Sequence, residues 1–128
     1  MSELDKESVV GISALLVHAA NIDEIYSDHE KNLVKNFIKS YLEDADTNQI
    51  LKKAEEIENN SNQLLDYTKI IKKNSMDIKK DIIEHLWKVI ISDNSIDQYE
   101  SNLMRRICGL IYFPDKESAE IKLKLINK

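Results

Sequence analysis

HLWKVIISDNSIDQYESNLMRRI, residues 85–107, decides how the rest of the chain is read. An apolar run, a short acidic loop and a second amphipathic run follow one another without interruption, which is the pattern of helix, tight loop, helix. Laid over LLVHAANIDEIYSDHEKNLVKNF, residues 15–37, it realigns at an offset of seventy residues. Asp93 falls on Asp23, Glu100 on Glu30, Asn102 on Asn32 and Leu103 on Leu33. Conservative matches surround them: Ile96 on Tyr26, Met104 on Val34, Arg105 on Lys35 and Ile107 on Phe37. Self-similarity of this kind marks a repeated supersecondary unit. The expectation is a duplicated helical hairpin with an acidic loop in each copy.

Outward from these hairpins the apolar residues keep a helical period. The first helix starts after Ser2 or Asp5 and carries Val9, Val10, Ile12, Leu15, Leu16, Ala19 and Ala20 on more than one side, as a central helix must. Ser27 and Glu30 make an S-x-x-E capping box that opens a second helix, with Leu33, Val34, Phe37, Ile38 and Leu42 inward. Residues 44–47 read as a turn, Ile50, Leu51, Ala54 and Ile57 as a third helix, and Asn59, Asn60 and Ser61 as its break. Leu64, Leu65, Tyr67, Thr68 and Ile71 make a fourth. Ser75 caps a fifth, the counterpart of the first, with Ile78, Ile82, Ile83, Leu86, Trp87, Val89 and Ile90 inside. Asp97 with Glu100 opens a sixth through Leu103, Met104, Ile107, Leu110 and Ile111, and Pro114 suits the first turn of a last helix. Leu33 and Leu103 occupy equivalent first-turn core positions in this register.

Two Gly and one Pro in 128 residues leave few breakers, so the fold class expected is all-α: a single compact bundle of about seven helices, with residues 1–128 as one domain. A net charge of -5 and a pI near 5.2 argue against nucleic acid, whose binding rests on a basic footprint. Lys69, Lys72, Lys73, Lys79 and Lys80 read as a solvated helix face. Cys108 is the single cysteine, set among Ile107, Leu110 and Ile111, and reads as a buried, reduced thiol. MSELDKES at the start lacks the basic character of a signal peptide, and no apolar run approaches the ~18 residues of a membrane span. A cytoplasmic chain without membrane insertion is expected.

The order D-N-S-I-D-Q-Y-E, residues 93–100, looks like the second half of an EF-hand loop. A complete EF-hand is excluded, because its first two ligand positions fall on Val89 and Ile91, and in the other copy on Ala19 and Asn21. Calcium takes about six to eight oxygens and one half-loop offers about three or four, so only the two loops side by side complete a shell. Asp23, Glu30, Asp93, Asp97 and Glu100 are the candidate metal ligands. Each has a bland alternative. Ser27 and Asp97 serve as N-caps, Glu30 and Glu100 close capping boxes, and Tyr26 and Ile96 plug the hairpins. Asp23 and Asp93 are harder to explain as caps, since they stand just past a helix carboxyl end, where the macrodipole disfavours an anion by about 0.3–1 kcal/mol. An Asx-turn accounts for them locally; a cation accounts for them better.

The repeated order of small or apolar residues, Asp, turn, aliphatic, two residues, Glu and a basic amphipathic helix resembles the TerB-like family of tellurite-resistance proteins. HLWKVIISDNSIDQYESNLMRRICGLI carries the most specific part of the likeness, and PDKESAEIKLKL is similar to that family's closing helix. The resemblance implies a compact helical bundle, an acidic patch from the paired loops and divalent-metal binding. Related domains also occur fused to J-domains in membrane-anchored co-chaperones, so a protein partner in a membrane-associated stress-response assembly is a further implication. The family usually has Gly after the loop aspartate, where this chain has Glu24 and Asn94, and Glu adopts a left-handed backbone poorly.

Other chemistry finds little support. His18, His29 and His85 are too dispersed for a spaced metal motif and read as structural or surface residues. Gly11 and Gly109 alone cannot make a phosphate loop, and no nucleophile elbow or thiol-protease context is present. Trp87 reads as core or core edge. The function expected is a non-enzymatic binding module whose acidic loops hold a divalent cation, with Ca²⁺ favoured. A metal-independent protein-docking module is the alternative, and a metal-dependent hydrolase a third reading.

Overall fold

Short polar side chains start most of the helices, each by taking a backbone N–H that the first turn leaves unpaired. The structure, a computed structural model, describes residues 5–21, 27–43, 46–60, 68–91 and 98–126, with side chains from Ser101 onward in the last stretch. Asp5 accepts from the Ser8 N–H at 2.7 Å and opens α1, Lys6–Ala20. Ser27 and Glu30 close their capping box at the head of α2, Asp28–Tyr41. Asp46 accepts from the N–H groups of Asn48 and Gln49 and starts α3, Thr47–Asn60. After α4, Thr68–Lys72, the Ser75 hydroxyl accepts from the Ile78 N–H at 3.3 Å ahead of α5, Met76–Ile91. Then come α6, Gln98–Ile111, and α7, Asp115–Ile126, which Pro114 precedes with its carbonyl taking the Ser118 N–H. Among the described residues there are seven helices and no strand, in the all-α class expected.

Among the described residues, the join between α6 and α7 is the one with a left-handed non-glycine residue. Phe113 N–H reaches back to the Cys108 carbonyl at 2.9 Å, closing the helix end in the Schellman manner. That motif needs a left-handed residue between, and Tyr112 supplies it with φ 59° where glycine is usual.

Helix bounds and burial match at a shift of seventy residues. α2 and α6 start and end seventy residues apart, and α5 starts seventy residues after α1. Buried positions recur at the same shift: Ile12 and Ile82, Leu16 and Leu86, Val17 and Trp87, Ala20 and Ile90, Val34 and Met104, Phe37 and Ile107, Ile38 and Cys108. α1 lies at the centre against α2, α3 and α5, while α5 carries α7 and α6. One cluster of buried side chains draws on all seven helices.

Two polar ties fix directions. Asn21, capping the end of α1, donates to Glu58 in the last turns of α3 at 2.6 Å, so the carboxyl ends of α1 and α3 lie together. Tyr41 bonds Asp81, and Phe37, one turn earlier in α2, meets His85, one turn later in α5. Numbers rise along one helix as they fall along the other, so α2 and α5 are antiparallel. α5 therefore runs toward the end of the bundle at which Ser27 opens α2.

Several expectations shift. Leu33, Leu42 and Leu103 are half-buried at the edge of the core rather than inside it. Leu110 is 42% exposed, although it was expected inward. The inward face of α6 is Met104, Ile107, Cys108 and Ile111, and at 3.6 residues per turn Leu110 lies about 110° round the helix from the middle of that arc. Lys79 is buried, unlike its four exposed neighbours in the basic cluster. Leu64, Leu65 and Tyr67, expected at the start of the fourth helix, lie outside the described residues.

Candidate functional site

Of the five acids singled out in the sequence, Glu30 is described in full, and it is buried. Its Oε1 accepts from the Ser27 N–H at 2.8 Å and from the Ser27 hydroxyl at 3.1 Å, while its own N–H donates to the Ser27 oxygen at 3.2 Å. The capping reading of Glu30 therefore holds. Asp23, Asp93 and Asp97 lie outside the described residues, and Glu100 is the third residue of α6 with its side chain likewise outside. Among the described residues no group of three or more His, Cys, Asp or Glu is placed to hold a metal ion.

A second cluster joins α2 to α5. The Tyr41 hydroxyl donates to Asp81 Oδ2 at 2.6 Å, and His85 Nε2 stands 3.6 Å from the same oxygen. Burial first, and then the Asp81 carboxylate it donates to, push the Tyr41 phenol well above its ordinary range. Burial also pushes His85 down, with the Asp81 charge opposing the shift and Lys88 adding to it. The imidazole is thus a neutral ring at neutral pH, set edge-on to Phe37 at 5.2 Å. His85 is structural, as its sequence context implied. His18 is half-buried in the last turn of α1, and His29 is exposed in the first turn of α2.

The third site is a groove of about 480 Å³ where α5, α6 and α7 meet. Trp87, Met104 and Ser118 are buried along it, while Ser101, Arg105, Asp115, Ala119 and Lys122 complete the lining. Trp87 is held by an N–H bond from its indole to the Ser118 hydroxyl at 3.0 Å, and the Lys122 ammonium stands 5.3 Å from its ring centroid. Ser118 also touches Cys108, whose thiol burial pushes up while the Ser118 hydrogen bond opposes the shift. Such a thiol is protonated and a poor nucleophile. What the groove offers chemically is an apolar floor beside two cations and one carboxylate.

Sequence reasoning missed this groove because its parts come from three helices. Trp87 reads as core or core edge in the sequence, and no spacing ties it to Arg105 or Lys122. A faint signal was present in α7, where Ser118 and Lys122 occupy the face that a fully packed helix would fill with apolar side chains. The Tyr41 to Asp81 bond spans forty residues and has no local signature, whereas Asp81 and His85 stand at the i, i+4 spacing that a helix brings together.

Residues 10–123 match the family model described as "Tellurite resistance protein TerB". No curated protein and no solved structure matches the chain.

Proposed function

With 10–123 of its residues matched, the chain belongs to the tellurite resistance protein TerB family, and from that premise we propose that it is a non-enzymatic helical binding module whose two acidic loops hold a divalent cation. Asp23, Glu30, Asp93, Asp97 and Glu100 supply the oxygens. The observation that carries this reading is the antiparallel packing of α2 on α5, read from Tyr41 on Asp81 and Phe37 on His85. It directs the carboxyl end of α5 toward the end of the bundle where Ser27 and Glu30 open α2. In this reading the five carboxylates share that end, where they repel each other and a cation relieves the repulsion. Ca²⁺ suits irregular oxygen shells better than Mg²⁺, which demands a near-ideal octahedron. Capping and ligation by Glu30 are compatible, since a carboxylate offers about four lone-pair sites.

Thermal melts and calorimetry test it. Millimolar Ca²⁺ raises the melting temperature, by linkage about 2.7 kcal/mol at 100 times the dissociation constant. Asp93→Asn removes most of that gain, and Asp23→Asn removes less, because Glu24 stands where the family usually has Gly. Melts that ignore every divalent cation tried would refute the metal reading. The second reading is then favoured: metal-independent docking of a protein partner, in a stress-response assembly at the membrane. It is motivated by Tyr112, Leu123 and Ile126, three large apolar side chains left at least 46% exposed on α7 and the join that precedes it. Among the described residues no helix is long and apolar enough to cross a membrane itself.

A further inference from the structure

The groove between α5, α6 and α7 has a chemistry opposite to that of the acidic loops. The chain carries a net charge of -5, yet two of the side chains lining this groove are cations. Among the described residues Arg105 has no carboxylate within ion-pairing distance, and Lys122 has only the indole face of Trp87. Asp115 does line the groove, but along α7 it stands seven residues before Lys122, roughly 10 Å at 1.5 Å per residue. The groove is therefore polarised along its length. Between its charged groups lie the Trp87 ring, Met104 and the small side chain of Ala119.

We propose that this groove binds a small amphipathic organic anion, its charged head between Arg105 and Lys122 and its apolar body on Trp87, Met104 and Ala119. A volume of about 480 Å³ falls within the range of small-ligand sites, and its three apolar side chains stand among charged and hydroxyl groups that can orient a ligand. Guanidinium and ammonium groups both favour carboxylate, sulfonate or phosphate heads, and the guanidinium adds bidentate geometry. The floor is rigid. The hydrogen bond from Trp87 to Ser118 fixes the indole plane, and α7 is anchored beneath by buried Ile121. The site is independent of the acidic loops, so it stands or falls apart from the cation reading.

Trp87 is the sole tryptophan, so its indole N–H gives a single NMR cross-peak and its fluorescence a single reporter at the groove floor. Octanoate is the probe, with 1-octanol and inorganic phosphate as its two halves. The expected result is a saturable shift of the indole peak with octanoate, a response at least tenfold weaker with octanol, and none with phosphate alone. Arg105→Gln and Lys122→Gln each weaken octanoate about tenfold, the loss of one charge-assisted contact. Ala119→Leu fills the groove at an exposed helix position where leucine is well tolerated, so binding vanishes while the melting temperature holds. No saturable shift, an equal response to octanol, or undiminished octanoate binding in Ala119→Leu each overturns the proposal.

Discussion

The pair α1 and α2 and the pair α5 and α6 bury side chains at positions seventy residues apart and are then covered differently. In the first, α3 sets Ile50, Leu51 and Ala54 fully against its neighbours, with Ile57 packed at the edge. In the second, α7 buries Ser118 and Ile121 and leaves Leu123 55% and Ile126 46% exposed. The α5, α6 and α7 side keeps an open groove with Trp87 on its floor. Within the shared pair, differences fall at matching positions. Trp87 stands where the first half has Val17, His85 where it has Leu15, and Ile83 where it has Ser13. The lesson is that the helices matching at the seventy-residue shift share their packing, while the positions that differ exchange polar and apolar groups in both directions: Trp87 and His85 enter the second pair, and Ser13 stays in the first.

The largest effect tests whether the shared packing is equivalent. Leu16 and Leu86 are matched and both fully buried. Truncation of either to Ala is expected to cost about 2–5 kcal/mol, by lost transfer energy and the cavity left behind. Denaturant midpoints that drop for one variant and hardly move for the other would break the comparison. Leu33 and Leu103, half-buried, should lose less than their buried neighbours.

The legibility of the chain divides along the same line. Ser27 with Glu30, Ser75 and Asp5 were readable because a cap acts over three residues, and the central helices because their apolar residues repeat every turn. Leu110 was misread because spacing alone does not locate the middle of a buried arc. The groove was illegible for a different reason: it exists only because Ser118 and Lys122 of α7 meet Trp87 and Arg105 across a tertiary seam. Periodicity says that α7 has an inward face, not how completely that face is covered.

Two buried serines give a middle-sized contrast. Ser118 satisfies the Trp87 indole, whereas the Ser13 hydroxyl, buried in α1, has no hydrogen-bond partner among the described residues. Ser118→Ala leaves a buried indole N–H unpaired and is expected to cost about 1–3 kcal/mol. Ser13→Ala removes an unsatisfied hydroxyl from the interior and is expected to be neutral or stabilising. Thermal melts of both variants at one pH decide it. Loss of stability in Ser13→Ala comparable to that in Ser118→Ala would mean that the hydroxyl of α1 is partnered after all.

The smallest effect is the pH dependence that His85 brings to the second half. His85 is held below its ordinary value of 6.5 chiefly by burial, and the matching residue in the first half, Leu15, does not titrate. The unfolded chain takes up a proton at this histidine near pH 6.5, while the folded chain resists until a lower pH. Unfolding therefore binds a proton in that interval, so stability falls as the solution is acidified from 6.5 toward the folded value and is unaffected above it. The slope contributed by one group is at most about 1.4 kcal/mol per pH unit. His85→Leu places the first half's residue in the second and should flatten this part of the acid limb, leaving the part due to carboxylates. Tyr41 contributes at the other extreme: its raised pKa means the unfolded chain releases a proton above pH 10 that the folded chain retains, and stability falls as the pH rises past that point. Denaturant midpoints of the wild type and His85→Leu, compared from pH 7.5 to 5, carry the test. Parallel curves across that interval would show that His85 titrates alike in both states and that burial in α5 leaves it unshifted.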